Sequence, residues 1–290
     1  MKIVDPHTIK GMERSRSIKI SILIMCLISV LTLLLVPHFA LAEEQDGVPL
    51  LVLMYHQLLP GKHSQYIVSP EVLERDLTLL QKRGYTSVTT KQVIDYVLHD
   101  GDLPDKPVLI TFDDGHYNNL YYGKEILQRH GFTALISVIG RFSETTTTTQ
   151  TGGHVNYSYL TWEQIRGMKS DGVFEFGNHT YDMHNYKPRF GIGQKAGESD
   201  DSYRTALLQD VMQLQTVLRD QCGVRTNVFA FPFGKYSKLA VDTLWDAGFR
   251  LMLTCNEGVT TLKRNQPQCL HHVKRYNRSS SMCLEKVLRA

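Results

Sequence analysis

The sequence predicts an α/β chain folded as an irregular (β/α) barrel of about seven strands, preceded by an N-terminal signal or anchor segment. Three observations predict it. Five glycines, in Arg83-Gly84-Tyr85, His130-Gly131-Phe132, Asp171-Gly172-Val173, Cys222-Gly223-Val224 and Ala247-Gly248-Phe249, each join a helical stretch to an apolar one. Glycine just past a helix adopts the left-handed conformation cheaply, and the apolar residue then opens a strand. Short apolar runs alternate with amphipathic stretches, the order of repeated βα units. Polar residues able to do chemistry stand directly after several of these runs, the place where barrels carry their functional loops.

At the N-terminus, Arg14, Arg16 and Lys19 precede an uncharged apolar run over 20–36, and Ala40-Leu41-Ala42 follows. That order is a secretory signal with cleavage after Ala42. The run would make a helix of ~25 Å, the short end of what crosses a bilayer, so an uncleaved membrane anchor is the alternative. Residues 1–42 are assigned to the signal or anchor, 43–49 to a linker and 50–290 to the folded domain. Either way the remainder is exported. Its ~250 residues suit one large α/β domain. A net charge of +3 with no dense basic tract argues against a nucleic-acid partner. Four cysteines follow the signal: Cys222, Cys255, Cys269 and Cys283. Their spacing matches no zinc knuckle, and export allows pairing. Cys255–Cys269 is the expected pair, with free thiols as the alternative.

Strands are expected at 50–55, 108–112, 134–139, 173–176, 228–231 and 249–254, with shorter ones near 87–88 and 270–273. A helix over 70–83 starts at Ser69-Pro70 and keeps Leu73, Leu77 and Leu80 on one face. Thr161 with Gln164 forms a capping box for the next clear helix. A third, over 202–222, aligns Leu207, Val211, Leu214 and Leu218 as a packing stripe. Two polar insertions interrupt the pattern. Residues 141–157 contain five consecutive threonines and read as mobile; 187–202 are rich in glycine and charge and are placed beside a substrate cleft.

The residues after the strands are Tyr55-His56, Asp113-Asp114, the stretch from Gly177 through His179 to His184, and Pro232-Phe233-Gly234-Lys235. Neighbouring side chains of a strand point to opposite faces, but at a strand end the chain can bend and bring both carboxylates to one pocket. Two carboxylates held together raise each other's pKa unless a cation separates them. One Asp can then ligate an ion while the other stays free as a base. Asp-Asp-Gly also reads as a plain turn. His179 and His184 are five apart and would not share a helix face, yet on a loop they can converge. With Asp114 they make a facial set for a divalent metal that leaves positions open. Asp113 is the adjacent base, and a histidine can protonate a leaving amine. The reaction class that follows is metal-assisted hydrolysis of an acyl bond, with an amide N–H holding the oxyanion.

Thr111-Phe112-Asp113-Asp114-Gly115 together with His179-Thr180 resembles the polysaccharide deacetylases with the NodB-homology domain (carbohydrate esterase family 4), over residues 50–278. The resemblance implies an irregular (β/α) barrel, a divalent metal (Zn2+, with Co2+ or Ni2+ as alternatives) and removal of acetyl groups from N-acetylated sugars. It matches Asp113 to the base and Asp114, His179 and His184 to the metal ligands. Most members place the second histidine four residues after the first, where this chain has Met183. The longer spacing and Met54-Tyr55-His56 are similar to the poly-β-1,6-N-acetylglucosamine deacetylases of biofilm matrices, in which the acid comes from the first strand; His56 is the implied acid. Phe229-Ala230-Phe231-Pro232-Phe233-Gly234 matches the third motif in part: Ala230 stands where most members have the arginine that steadies the base, and Arg275 is the candidate substitute. The backbone N–H of Phe233 is the implied oxyanion donor. Tyr181, Phe233 and Trp162 are aromatics that would suit a polymer, Trp162 reading first as core. No fourth motif is found. Leu270-His271-His272 resembles the fifth, which ranks His272 after His56 as acid.

The resemblance thus implies an exported, metal-dependent N-deacetylase of a GlcNAc-containing polymer, poly-N-acetylglucosamine exopolysaccharide being favoured over peptidoglycan, chitin and acetylated xylan. It would be secreted or held at the extracellular face of the membrane or cell wall, touching membrane only through the N-terminal segment. A non-catalytic glycan-binding module on the same fold is the rival from another class, and retention of Asp113 counts against it.

Overall fold

The computed structural model describes residues 47–289; the signal or anchor assigned to 1–42 lies outside them. Seven segments form the sheet wall: β1 (Val48–Tyr55), β2 (Pro107–Asp114), β3 (Ala134–Val138), β4 (Phe174–Asn178), β5 (Val228–Ala230), β6 (Leu251–Leu253) and β7 (Tyr276–Asn277). Each of β1 to β5 pairs in parallel with the next, and β7 pairs in parallel with β1. The gap between β6 and β7 is bridged at Val273. Its N–H donates to the Met252 carbonyl, and its carbonyl accepts from Thr254 N–H, both at 2.9 Å. The ring therefore closes, irregularly, with one residue pair joining β4 to β5. The leading half of the free edge of β1 is covered by the antiparallel strand Thr260–Leu262.

Around the wall lie α1 (Pro70–Lys82), α2 (Thr90–Leu98), α3 (Lys124–His130), α4 (Gly140–Thr148), α5 (Trp162–Lys169), α6 (Asp200–Cys222) and α7 (Lys238–Asp246). The five junction glycines all have positive φ, between 65° and 98°, as their position after a helix requires. The capping box at Thr161 and Gln164 is formed. The stripe on α6 is fully buried, though the helix begins at Asp200 with Ser199 as its cap, two residues before the expected start.

Strand parity decides what faces the barrel interior. Leu50, Val52, Leu109, Leu135, Val228, Ala230, Leu251, Leu253 and Val273 form one buried cluster with Val93, Ile94 and Val97 of α2, which floors the barrel. The opposite parity of β1 to β4 packs outward on α1, α3, α5 and α6. Glu175 on β4 receives the Thr90 N–H at 2.6 Å and its hydroxyl at 2.9 Å, a carboxylate at the N-terminus of α2. Thr111 and Asp113 continue the inward parity of Leu109, so the first aspartate projects into the upper barrel.

Three expectations are corrected. The strand expected near 270–273 is the 3-10 helix Pro267–Leu270; only Val273 bridges, and the seventh strand follows it. The insertion read as mobile contains α4. Threonine is a weak helix former, but here its hydroxyls bond back to carbonyls four residues earlier, Thr147 to Ser143, Thr148 to Glu144 and Thr149 to Thr145. Gly140 at its start lies against the Tyr181 ring, where a Cβ would collide. Finally, all four cysteines are free. Cys255 packs on Gly234 and Cys269 on the Lys263 carbonyl, so the two thiols have different neighbours. Among the described residues no helix is long and apolar enough to cross a membrane.

Candidate metal centre and active site

Asp113 sits at the end of β2, buried, in a bidentate pair with Arg275: Nη1 to Oδ1 and Nη2 to Oδ2, each 2.8 Å. Arg275 lies in the closing segment between Val273 and β7, fully buried, and its Nε donates to the Thr254 carbonyl at 2.8 Å. The arginine missing at Ala230 is thus supplied from a neighbouring position of the wall, with the planar fork that matches a carboxylate. Burial pushes the Asp113 carboxyl up, but the Arg275 guanidinium, and then His179, hold it below the usual carboxylate range.

Asp114 would face outward on a regular strand. Its φ of 74° turns it back, and Gly115 follows at 78°. Thr180 (φ 73°) and Phe233 (φ 56°) are also left-handed, so three strained non-glycine residues gather at this end of the barrel. Asp114 Oδ1 lies 3.6 Å from Nε2 of both His179 and His184. One ligand atom from each of the three lies within 4.8 Å of the others. His179 Nδ1 faces the Ala230 carbonyl at 2.8 Å, an acceptor only, so Nδ1 carries the proton and Nε2 a lone pair. Burial, then His179, pushes His184 down to about 4, so its imidazole is neutral at neutral pH. A carboxylate oxygen and two imidazole nitrogens therefore converge on one point. That donor set fits a divalent cation.

The second oxygen of Asp114 is held by His116, whose Nε2 donates at 3.3 Å. His116 is buried and stacks on Tyr159, ring centroids 4.8 Å apart. Burial pushes Asp114 up, yet the His116 hydrogen bond holds it far below the ordinary value. Such a partner orients a ligand and leaves the other oxygen free. His116→Ala is expected to weaken zinc binding about 10–100-fold in a competition titration; an unchanged affinity would contradict the role. The sequence reading missed His116, although its place directly after the Asp-Asp-Gly turn was a signal.

Asp210 on α6 was missed too. Its carboxylate accepts the N–H groups of Tyr181 (2.7 Å) and Asp182 (2.8 Å), fixing the loop that carries both histidines. Burial raises its pKa from 3.8 to about 6, overcoming the two backbone N–H groups. A raised carboxyl contributes stability in full below its unfolded pKa and loses it as pH rises through about 6. The stability of the wild type relative to Asp210→Asn is therefore expected to fall by up to about 3 kcal/mol between about pH 4 and about pH 7. Denaturant unfolding at both pH values checks this; a pH-independent difference would rule it out.

The other expected site residues divide. Burial lowers His56, although Asp114 and Asp113 pull it upward, and its Nδ1 is buried without a hydrogen-bond partner. Phe233 places its ring 4.3 Å from that of His184. Tyr181 packs on Gly140 with the Arg141 guanidinium 6.0 Å from its ring, a structural setting. His272 is exposed, lies tilted against the Tyr236 ring and makes no hydrogen bond or ion pair with the metal cluster or Asp113. Trp162 is core, its indole N–H on Glu144 at 2.6 Å.

The family model described as polysaccharide deacetylase matches residues 100–252, just over half of the chain. A curated relative, the poly-beta-1,6-N-acetyl-D-glucosamine N-deacetylase of Escherichia coli (strain K12), is 25% identical over 215 residues, a match that covers 66% of this chain and 31% of the relative. The chain thus spans about a third of that relative's length. Among solved structures, the Streptococcus pyogenes deacetylase PplD in complex with acetate is similar with a TM-score of 0.67 and 21% identity, over 84% of this chain and 98% of that one. IcaB from Ammonifex degensii is similar with a TM-score of 0.65 and 26% identity, over 81% and 94%. The expected (β/α) barrel and the expected family agree with these findings.

Proposed function

Because the chain belongs to the polysaccharide deacetylase family, we propose that it is an exported, metal-dependent N-deacetylase of a GlcNAc-containing polysaccharide, with poly-N-acetylglucosamine as the favoured substrate. The observation that carries this is the convergence of Asp114, His179 and His184 donor atoms beside the buried Asp113–Arg275 pair. Residues 1–42 serve as the export segment and the folded domain follows. The choice of polymer is supported by the β-1,6 specificity named for the Escherichia coli relative and by the spacing of the two histidines.

Asp114, His179 and His184 would hold a divalent cation, zinc in our reading, which would supply polarisation of the acetyl carbonyl and a lowered pKa for water. Asp113, kept ionised by Arg275, takes a proton from the attacking water. The backbone N–H of Phe233 is the donor we assign to the developing oxyanion. The amide C–N bond breaks, the acetyl carbon keeps the hydroxyl oxygen, and the amine needs one proton. His56, directly after β1, pushed down by burial and drawn upward by the Asp114 and Asp113 charges, is the donor we assign to it. The products are acetate and a free amino sugar.

The test is acetate release by the full chain, loaded with zinc, from N-acetylglucosamine oligomers of β-1,6 and β-1,4 linkage. A higher kcat/KM on the β-1,6 series is expected. Preference for β-1,4 would redirect the assignment to peptidoglycan or chitin, and binding of either series without release would favour the glycan-binding module.

A further inference from the structure

The insertion after the second metal histidine is built, not slack. Buried Arg189 and half-buried Glu198 form a bidentate pair at 2.8 and 2.7 Å, and Arg189 also donates to the Gly193 carbonyl at 2.9 Å. Ile192 between them is fully buried, and its carbonyl accepts the Tyr203 hydroxyl at 2.7 Å. At Gly191 (φ 55°) the loop backbone presses on Pro232 so closely that a Cβ would lie 2.8 Å from its carbonyl oxygen. A loop pinned this firmly nevertheless leaves two aromatic rings in water. Tyr186 is 73% exposed and Phe190 45%. Both lie nearly parallel to Phe233: Tyr186 at 4.7 Å and 25°, Phe190 at 4.9 Å and 16°. The same Phe233 ring touches His184 on the metal cluster.

Exposed apolar surface on a rigid scaffold, contiguous with a catalytic centre, marks a binding site. From this we infer that Tyr186 and Phe190, stacked on Phe233, form a platform for a sugar residue of the polymer next to the one being deacetylated. A pyranose ring suits it, because it offers an apolar C–H face bordered by hydroxyls, and the Tyr186 hydroxyl gives the platform a polar tip. A polymer must lay its flanking sugars on surface beside the metal, and this surface starts at a ring touching His184. The inference rests on the proposed glycan substrate. It adds which residues read polymer length.

The experiment compares wild type with Tyr186→Ala/Phe190→Ala on N-acetylglucosamine and on its β-1,6-linked pentamer. The ratio of kcat/KM on pentamer to that on monosaccharide is expected to fall about tenfold in the alanine pair, mainly through KM. Tyr186→Phe/Phe190→Tyr should keep the wild-type ratio. An equal loss on both substrates would mean a merely structural role and overturn the inference. Pentamer binding to chelated protein, by calorimetry, separates the two readings. Binding that is weakened by the alanine pair supports the platform even if no acetate is ever released, which would sink only the catalytic reading. No binding, or binding indifferent to both rings, overturns the platform.

Discussion

Asp113→Asn is expected to reduce acetate release about 10²–10⁴-fold, the range that removal of a positioned general base produces. Asparagine keeps the shape and can still accept from Arg275, but it cannot take a proton from water. Asp114, His179 and His184 are untouched, so zinc should bind the variant as it binds the wild type. Loss of rate with metal retained is the signature of a base. Loss of both would show that Asp113 acts by holding the cluster together. A variant that turns over normally would remove Asp113 from the chemistry.

The second large effect concerns stability. The Asp113–Arg275 pair is buried at both ends, with side-chain exposures of 3% and 0%. Arg275→Met strands a buried carboxylate and is expected to cost about 3–5 kcal/mol of unfolding free energy. Asp113→Asn leaves the guanidinium short of its countercharge and should be destabilised as well. Combining the two removes both charges, so the double variant is expected to be more stable than the sum of the single losses allows. Denaturant unfolding of the four proteins gives the coupling directly. Additive losses would mean that the two side chains do not stabilise each other. In Arg275→Met the Asp113 carboxyl also loses the charge that holds it down. Its pKa should rise, and the pH at which activity appears should rise with it.

Much of this architecture is written in local signals. A glycine that must be left-handed after a helix is visible at Gly84 or Gly223 without knowledge of the rest of the chain, and the structure puts positive φ at each. The motif residues Asp113, Asp114, His179 and His184 come together because they all stand at the same end of parallel strands, which the βα order already implies. What was hidden depends on closure. Arg275 reaches Asp113 across 162 positions of sequence, and only the bridge at Val273 places it beside β2. The turn of Asp114 out of strand parity was legible as one reading of Asp-Asp-Gly, but the left-handed angle that aims it is seen only in the structure. His116 acts on Asp114 through one hydrogen bond and Asp210 on the histidine loop through two, and each looks like an ordinary polar residue in sequence. The threonine run misleads for the opposite reason: propensity disfavours the helix of α4, and side-chain bonding with tertiary packing overrides it.

On the proposed mechanism, deacetylation depends on a divalent cation held by Asp114, His179 and His184. The most direct measurement is acetate release from the β-1,6-linked N-acetylglucosamine pentamer by the full chain before chelation, after chelation, and after zinc is returned. Release is expected to stop when the metal is stripped and to recover with one equivalent of zinc, and Asp114→Ala is not expected to recover. Release that continues unchanged in the stripped protein would contradict it.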